Sequence, residues 1–237
     1  MGVDVYVLDF LLGVPRKTYA RTLWLGRQHF SVNFADARVK RVLDKYGVEP
    51  AAIQSRTGYA EQLFRFLGSD RIESLDMSSF EGAEIICDLS KPLPPELEGQ
   101  FDLVFDGGTV EHVYEITTAF DNVRRLVKVG GALVSVNGAN NQLGHGFYQF
   151  SPELLWRTFS KDAGFQVERM HLVDVGGGVT DARDPAAVGR RLETGTTVGS
   201  TYIMVHAVKV ENKPRMIMYQ SDYASAWARS EAAQAGA

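Results

Sequence analysis

Apolar and polar positions along this chain follow two spacings: short apolar runs that end on acidic or glycine residues, and longer stretches with apolar positions three or four apart. The plainest succession lies between Phe101 and Ser151. Phe101, Leu103, Val104 and Phe105 form a run that stops at Asp106-Gly107-Gly108, and Val110, Val113, Ile116, Phe120, Val123 and Leu126 then hold a helical stripe. Gly130-Gly131 breaks that stripe, and a second run, Ala132 to Val136, empties into the polar loop Asn137 to Phe150. The pattern predicts strand, loop, helix, strand, loop. Ligands of an open α/β sheet gather beyond the carboxyl ends of its strands, so both polar loops are expected to open onto one crevice.

The rest of the chain repeats the alternation. Val3, Val7, Leu8, Leu11 and Leu12 predict a helix over 3–14, closed by Gly13 and Pro15 and covering one edge of the sheet. Thr22 to Leu25 predicts a buried strand ending at Gly26-Arg27-Gln28, and helices follow over 36–46 and 59–67, closed by Gly47 and Gly68. Strands are expected at 71–76 and 83–87, and Lys91-Pro92-Leu93-Pro94-Pro95 must be a connection. Ser151-Pro152-Glu153 is a helix start: a capping hydroxyl, a proline suited to the first turn and an acid at the positive end of the dipole. Strands at 165–175 and 201–210 flank Gly176 to Ser200, a segment long enough to be a lid or mobile loop, with Gly176-Gly177-Gly178 as a hinge. Alternating strands and helices predict a Rossmann-like, mostly parallel sheet with helices on both faces and an antiparallel edge hairpin. One domain is expected over residues 1–215, with an N-terminal helical cover, followed by a tail over 216–237 whose last ten or so residues are disordered.

Composition narrows the function. Among 237 residues, 45% are hydrophobic, enough for a sizeable core. Twenty-five basic against 29 acidic residues leave a net charge of −4 with no basic block, which argues against nucleic acid and anionic membrane as partners. No run approaches the roughly 18 apolar residues of a membrane span, and Asp4 and Asp9 interrupt the apolar start of the chain, which does not read as a signal peptide. The single cysteine, Cys87, sits in an apolar run and reads as a buried thiol in a reducing compartment. A cytoplasmic location is expected, and a homodimer stays open.

From Arg71 to about residue 210 the order of acidic strand ends resembles the class I S-adenosylmethionine-dependent methyltransferases. Cys87 to Val113, reading CDLSKPLPPELEGQFDLVFDGGTVEHV, is similar to the part of those enzymes from the third strand to the helix after the fourth. Lys128-Val129-Gly130-Gly131-Ala132-Leu133 resembles their turn into the fifth strand. The stretches Leu25 to Gln28, Asp106 to Thr109 and Asn140 to Ser151 resemble, more narrowly, a little-described subgroup of bacterial methyltransferase-like proteins. The resemblance implies S-adenosylmethionine as cofactor, with Asp76 at the ribose and Met77 after it, Asp88 and Leu89 beside the adenine, and Asp106 and Gly107 near the methionine moiety. Gly26, Arg27 and Gln28 occupy the first loop, where the family is usually glycine-rich because small residues admit the cofactor. Fifty positions separate Gly26 from Asp76, more than one helix and one strand fill. Either extra helices are inserted, or Gly58-Tyr59 takes over part of the loop's role.

Each candidate residue has a plainer alternative. His145, between Gly144 and Gly146 with Tyr148 and Gln149 close by, is the candidate base for a hydroxyl acceptor, or else a side chain that orders its loop. Tyr148 accompanies it as a catalytic candidate. Glu111 and His112 are expected at the pocket edge. Asp106 receives the cofactor's ammonium group or caps the helix after it; Asp76 and Asp88 bind cofactor or form turns. Arg27 and Gln28 meet the cofactor carboxylate or an acidic substrate, or face solvent. Asn140 and Asn141 orient a polar substrate, a sugar or modified peptide, or simply turn the chain. Phe147 walls the acceptor pocket or packs onto the core. The reading is O-methylation of a polar small molecule or glycan. Its rivals are a binding or scaffold protein that has lost the cofactor, and a metal-assisted hydrolase using Asp106, Glu111, His112 and His145, although no tight metal-ligand motif is present.

Overall fold

The computed structural model describes residues 2–214 and 217–235. The chain opens with β1 (Gly2–Val3), α1 (Val5–Leu12), β2 (Tyr19–Leu25) and β3 (His29–Phe30). Three helices follow, α2 (Ala37–Tyr46), α3 (Pro50–Ile53) and α4 (Glu61–Phe66), and then β4 (Ser69–Asp76), β5 (Ile85–Ile86) and β6 (Phe101–Gly107). Next come α5 (Ile116–Leu126), β7 (Val127–Asn140), α6 (Pro152–Thr158), β8 (Phe165–Asp174), β9 (Gly178–Asp181), β10 (Thr201–Lys209) and α7 (Ser221–Ala235). Eight strands form one sheet in the order β5-β4-β2-β6-β7-β10-β8-β9. Pairs from β5 through β7 are parallel, and β10 runs antiparallel to both β7 and β8. The predicted α/β architecture with an antiparallel addition at one side is therefore the one observed. No helix among the described residues is long and apolar enough to cross a membrane.

Alternate residues of the inner strands feed two cores, as a sheet covered on both faces requires. Leu23 and Leu25, Val104 and Leu133 pack with Ala119, Phe120, Val123 and Leu126 of α5 and with α6. Trp24, Leu103, Phe105, Ala132 and Val134 face the other way, onto α1, α2 and α4. Local signals set the helix ends: Asp4 caps α1 through the amides of Tyr6 and Val7, Asp36 caps α2, Ser151 caps α6, and Gly47 closes α2 at φ 62°.

Several expectations are corrected. α1 covers a face and not an edge: Val7, Leu8 and Leu11 share a core with Val134, Val136, Val173 and Met204 from the middle of the sheet, whose edges are β5 and β9. The strand after α5 begins at Val127, before the glycine pair. Gly176-Gly177-Gly178 is a turn that sends β9 back along β8, so the 176–200 segment is partly sheet. Of the tail, Ser221–Ala235 is helical, a helix that runs into the last ten or so residues, where disorder was expected; Met216 and the last two residues lie outside the described ones. The fifty positions between Gly26 and Asp76 hold β3 and three helices ahead of β4, the extra helices that the spacing called for.

His206 on β10 is 5% exposed, and burial, with the charges of Arg169 and Lys17 adding to it, pushes its pKa down to about 4. The imidazole is thus neutral in the fold, and unfolding at acid pH takes up a proton. Its contribution is fully present above the unfolded value of about 6.5 and is lost as pH falls toward 4, by roughly 3 kcal/mol. Urea unfolding at pH 7 and pH 4 is expected to show a smaller acid loss in His206→Gln than in the parent protein, by about that amount.

Candidate functional site

The carboxyl ends of β2, β4, β6 and β7 converge, as parallel strands must, and Gly26, Asp76, Gly107 and Asn140 mark them. At the first, Gly26 adopts φ 66°, and a Cβ there would come within 3.3 Å of Thr109 Oγ1 and 3.7 Å of Asp76 Oδ2. Gly26 itself stays partly exposed. Gln28 turns inward, 2% exposed, and donates from Nε2 to the carbonyls of Leu25 at 2.8 Å and Gly26 at 3.0 Å. Its Oε1 would lie 2.0 Å from a Cβ on Gly107, so only glycine fits there. Arg27 turns outward: it pairs with Glu61 at 2.9 Å, donates to Glu81 O and lies 3.8 Å over the ring of Tyr59. Gln28 is thus engaged by the protein itself, and Arg27 spends three of its five N–H groups on Glu61 and Glu81. Gly58 to Ala60 brace the loop, Gly58 O accepting from Phe30 N and Ala60 N donating to Gln28 O.

Asp106 ends β6 wholly inside the protein, 1% exposed. Its Oδ1 accepts from the amides of Thr109 at 2.9 Å and Val110 at 3.4 Å; Oδ2 accepts from Ser135 Oγ and Asn137 Nδ2, both at 2.8 Å. Burial raises its pKa, and these four donors oppose the rise. The carboxylate therefore acts as the cap of the following turn, and its acceptors are not open to a cofactor ammonium. Asp76 differs: Oδ1 accepts from Ser78 N, and Oδ2 faces Gly26 with no donor among the described residues. Met77 beside it is 73% exposed. Asp88 closes a turn on Ser90 N and Oγ and meets Lys91 at 3.1 Å; the Ser90 hydroxyl and amide and then Lys91 draw its pKa down to about 2. Leu89 is buried.

A second centre forms where the turn 110–112 meets the loop after β7. Glu111 is fully buried, and its Oε2 accepts from Gly138 N. Glu111 O accepts from the amides of Phe147 and Tyr148, and His145 N donates to Gln142 O, so the loop is laced down over Glu111. His145 Nε2 lies 3.0 Å and His112 Nε2 3.8 Å from Glu111 Oε1. The two rings lie 5.1 Å apart. Burial raises the pKa of Glu111, helped by Asp106 and opposed by the Gly138 amide and His145. Burial and then His145 lower that of His112.

Other predicted pocket residues are committed elsewhere. Asn140 Nδ2 donates to Thr197 Oγ1, and Asn141, at φ 56°, donates to the carbonyls of Thr197 and Gly199. Both asparagines thus tie the 176–200 segment to this loop. Tyr148 donates its hydroxyl to Tyr114 O at 2.7 Å. Phe147 stays 66% exposed, edge-on to Tyr114. A cleft of about 750 Å³, with Asp174, Asp181, Arg183, Thr194 and Thr196 in its wall, extends to Thr197, the residue to which Asn140 and Asn141 are tied. The inward turn of Gln28 and the Ser135-Asn137 pair on β7 were missed from sequence; a polar residue inside an apolar run was the signal for the second.

The strand order and convergent carboxyl ends define a class I methyltransferase architecture. The chain belongs to that family, the S-adenosylmethionine-dependent methyltransferases: a family model described as a methyltransferase domain matches residues 17–135, just over half of the chain. It is an enzyme of this class, and the class draws its methyl group from S-adenosylmethionine. Similar solved structures include the 1,6-didemethyltoxoflavin-N1-methyltransferase of Burkholderia thailandensis, with 14% identity and a TM-score of 0.43 over 87% of this chain and 76% of that one. The N-methyltransferase NodS of Bradyrhizobium japonicum shows 13% identity and a TM-score of 0.43 over 87% and 84%. The geranyl diphosphate C-methyltransferase of Streptomyces coelicolor shows 13% identity and a TM-score of 0.45 over 87% and 77%. No curated protein matches the chain.

Asp106→Ala strands two amides, a hydroxyl and a carboxamide in the core. A loss of about 3–5 kcal/mol is expected, read from urea unfolding midpoints; a loss below about 1 kcal/mol would contradict the capping role.

Proposed function

We propose that this methyltransferase moves the methyl group of S-adenosylmethionine to a hydroxyl of a polar small molecule or glycan, with His145 taking the hydroxyl proton. The reading is carried by the place of His145: a half-exposed imidazole, held by its loop at the carboxyl end of the sheet, with Nε2 3.0 Å from the buried Glu111 carboxylate. An acid at that distance stabilises the imidazolium formed when a proton is accepted, and burial strengthens the effect. The acceptor class is supported by the charged and hydroxyl side chains Asp174, Asp181, Arg183, Thr194 and Thr196 of the neighbouring cleft, which can hydrogen-bond a polar acceptor.

The crevice at Gly26 suits the cofactor. A glycine backbone left open between Thr109 and Asp76 admits a close ligand, and Asp76 Oδ2 is free to accept from ribose hydroxyls. Met77 and Ile86, both exposed beside Asp76, offer apolar surface to the adenine, with Asp88 and Leu89 next in the chain after Cys87. Gly107 keeps the backbone low at the methionine side, while Arg27 and Gln28 hold the loop without covering it. When bound, S-adenosylmethionine supplies an electrophilic methyl group. The chain aligns the acceptor and removes its proton.

With sugars and polyols as acceptors, and release of S-adenosylhomocysteine as the readout, His145→Ala is expected to lower turnover by about 10²–10⁴-fold. Calorimetric affinity for S-adenosylhomocysteine should stay unchanged in that variant. Unaltered turnover would remove the base from this reading.

A further inference from the structure

We propose that Glu111, His112 and His145 form a binding site for a borderline divalent cation such as Zn²⁺, and that filling it switches off the proton acceptor. One ligand atom from each residue lies within 4.8 Å of the others. The contacts of Glu111 Oε1, 3.0 Å to His145 Nε2 and 3.8 Å to His112 Nε2, bracket the separation of about 3.3 Å that two ligands take around a tetrahedral zinc with bonds near 2.0–2.1 Å. Two imidazoles and one carboxylate are a common donor set for first-row metals, and three protein ligands leave a position open.

A second, independent feature points into the same space. Glu111 is fully buried, and although Oε2 is satisfied by Gly138 N, Oε1 has no aligned hydrogen-bond donor, the nearby His145 ring included. An unpaired carboxylate oxygen without solvent is costly. A cation between it and the two rings removes that cost, and burial strengthens the attraction. The elements that carry the ligands are already fixed together: Phe147 N and Tyr148 N donate to Glu111 O, and Gly146 lies against the His112 ring, where a Cβ would come within 3.1 Å of Nδ1. His112 and His145 remain partly exposed, which gives a metal its way in.

The consequence rests on the proposed function. A neutral imidazole has one free lone pair. Once that pair is bound to a cation, the other nitrogen carries the proton, and His145 has nothing left to accept one from a hydroxyl.

Calorimetric titration of the full chain with Zn²⁺, after chelator treatment and desalting, tests the site. Co²⁺ absorption in the visible range serves as a second probe. One equivalent is expected to bind, with affinity reduced by on the order of a hundredfold in His112→Ala and in His145→Ala. Glu111→Gln, which keeps an acceptor for Gly138 N, should weaken binding likewise; His112→Ala, at a half-exposed position, guards against loss of fold. The absence of stoichiometric binding, or binding indifferent to all three substitutions, would overturn the site. Full-rate methyl transfer with the site filled would overturn the switch. If His145→Ala loses Zn²⁺ but keeps turnover, the base assignment fails while the metal site stands.

Discussion

The buried carboxylate of Asp106 is the constraint on which the site depends. It sits where β6 ends, and its two oxygens join three pieces of chain: β6 itself, the amides of Thr109 and Val110 at the turn that carries Glu111, and Ser135 and Asn137 on β7. A charge in such a place survives only when every lone pair meets a donor. Meeting that condition fixes the exit of β6 against the exit of β7. Glu111 and the loop bearing His145 are held at those two exits, so the 3.0 Å approach of carboxylate and imidazole follows from a network neither residue belongs to.

The first loop solves a different problem. Its family counterparts are open because they are rich in glycine, whereas here Gly26 is followed by arginine, glutamine and histidine. Openness is kept by direction and not by size. Gln28 goes down, satisfying two carbonyls at the strand end; Arg27 goes out, neutralised by Glu61 and stacked on Tyr59. The inserted helices α2 to α4 make this workable, since Glu61 opens α4 and Gly58 to Ala60 brace the loop from the same insertion.

Much of this was legible in the sequence because it rests on local rules. Alternation gave the strands, Asp36, Ser151 and Gly47 their helix ends, and the acidic strand termini the family. What was not legible required knowing which way a side chain turns. Gln28 and Arg27 looked like ligand contacts, and Asn140 and Asn141 like substrate hooks. All four are used by the protein itself, the asparagines as ties to Thr197 and Gly199. The helix at 5–12 carried an apolar stripe, but a stripe does not say whether its partner is an edge or a face. The pairing of Glu111 with His145 joins residues 34 positions apart through loop geometry that no spacing rule encodes.

On the proposed function, the methyl donor enters between Gly26 and Asp76 despite the bulky residues that follow Gly26. Titration of the folded chain with S-adenosylhomocysteine in a calorimeter tests it most directly, repeated on Asp76→Ala. One equivalent is expected to bind the parent protein, with affinity at least about tenfold weaker in the variant, the loss of one charge-assisted hydrogen bond. No binding by the parent, or equal binding by both, would contradict it.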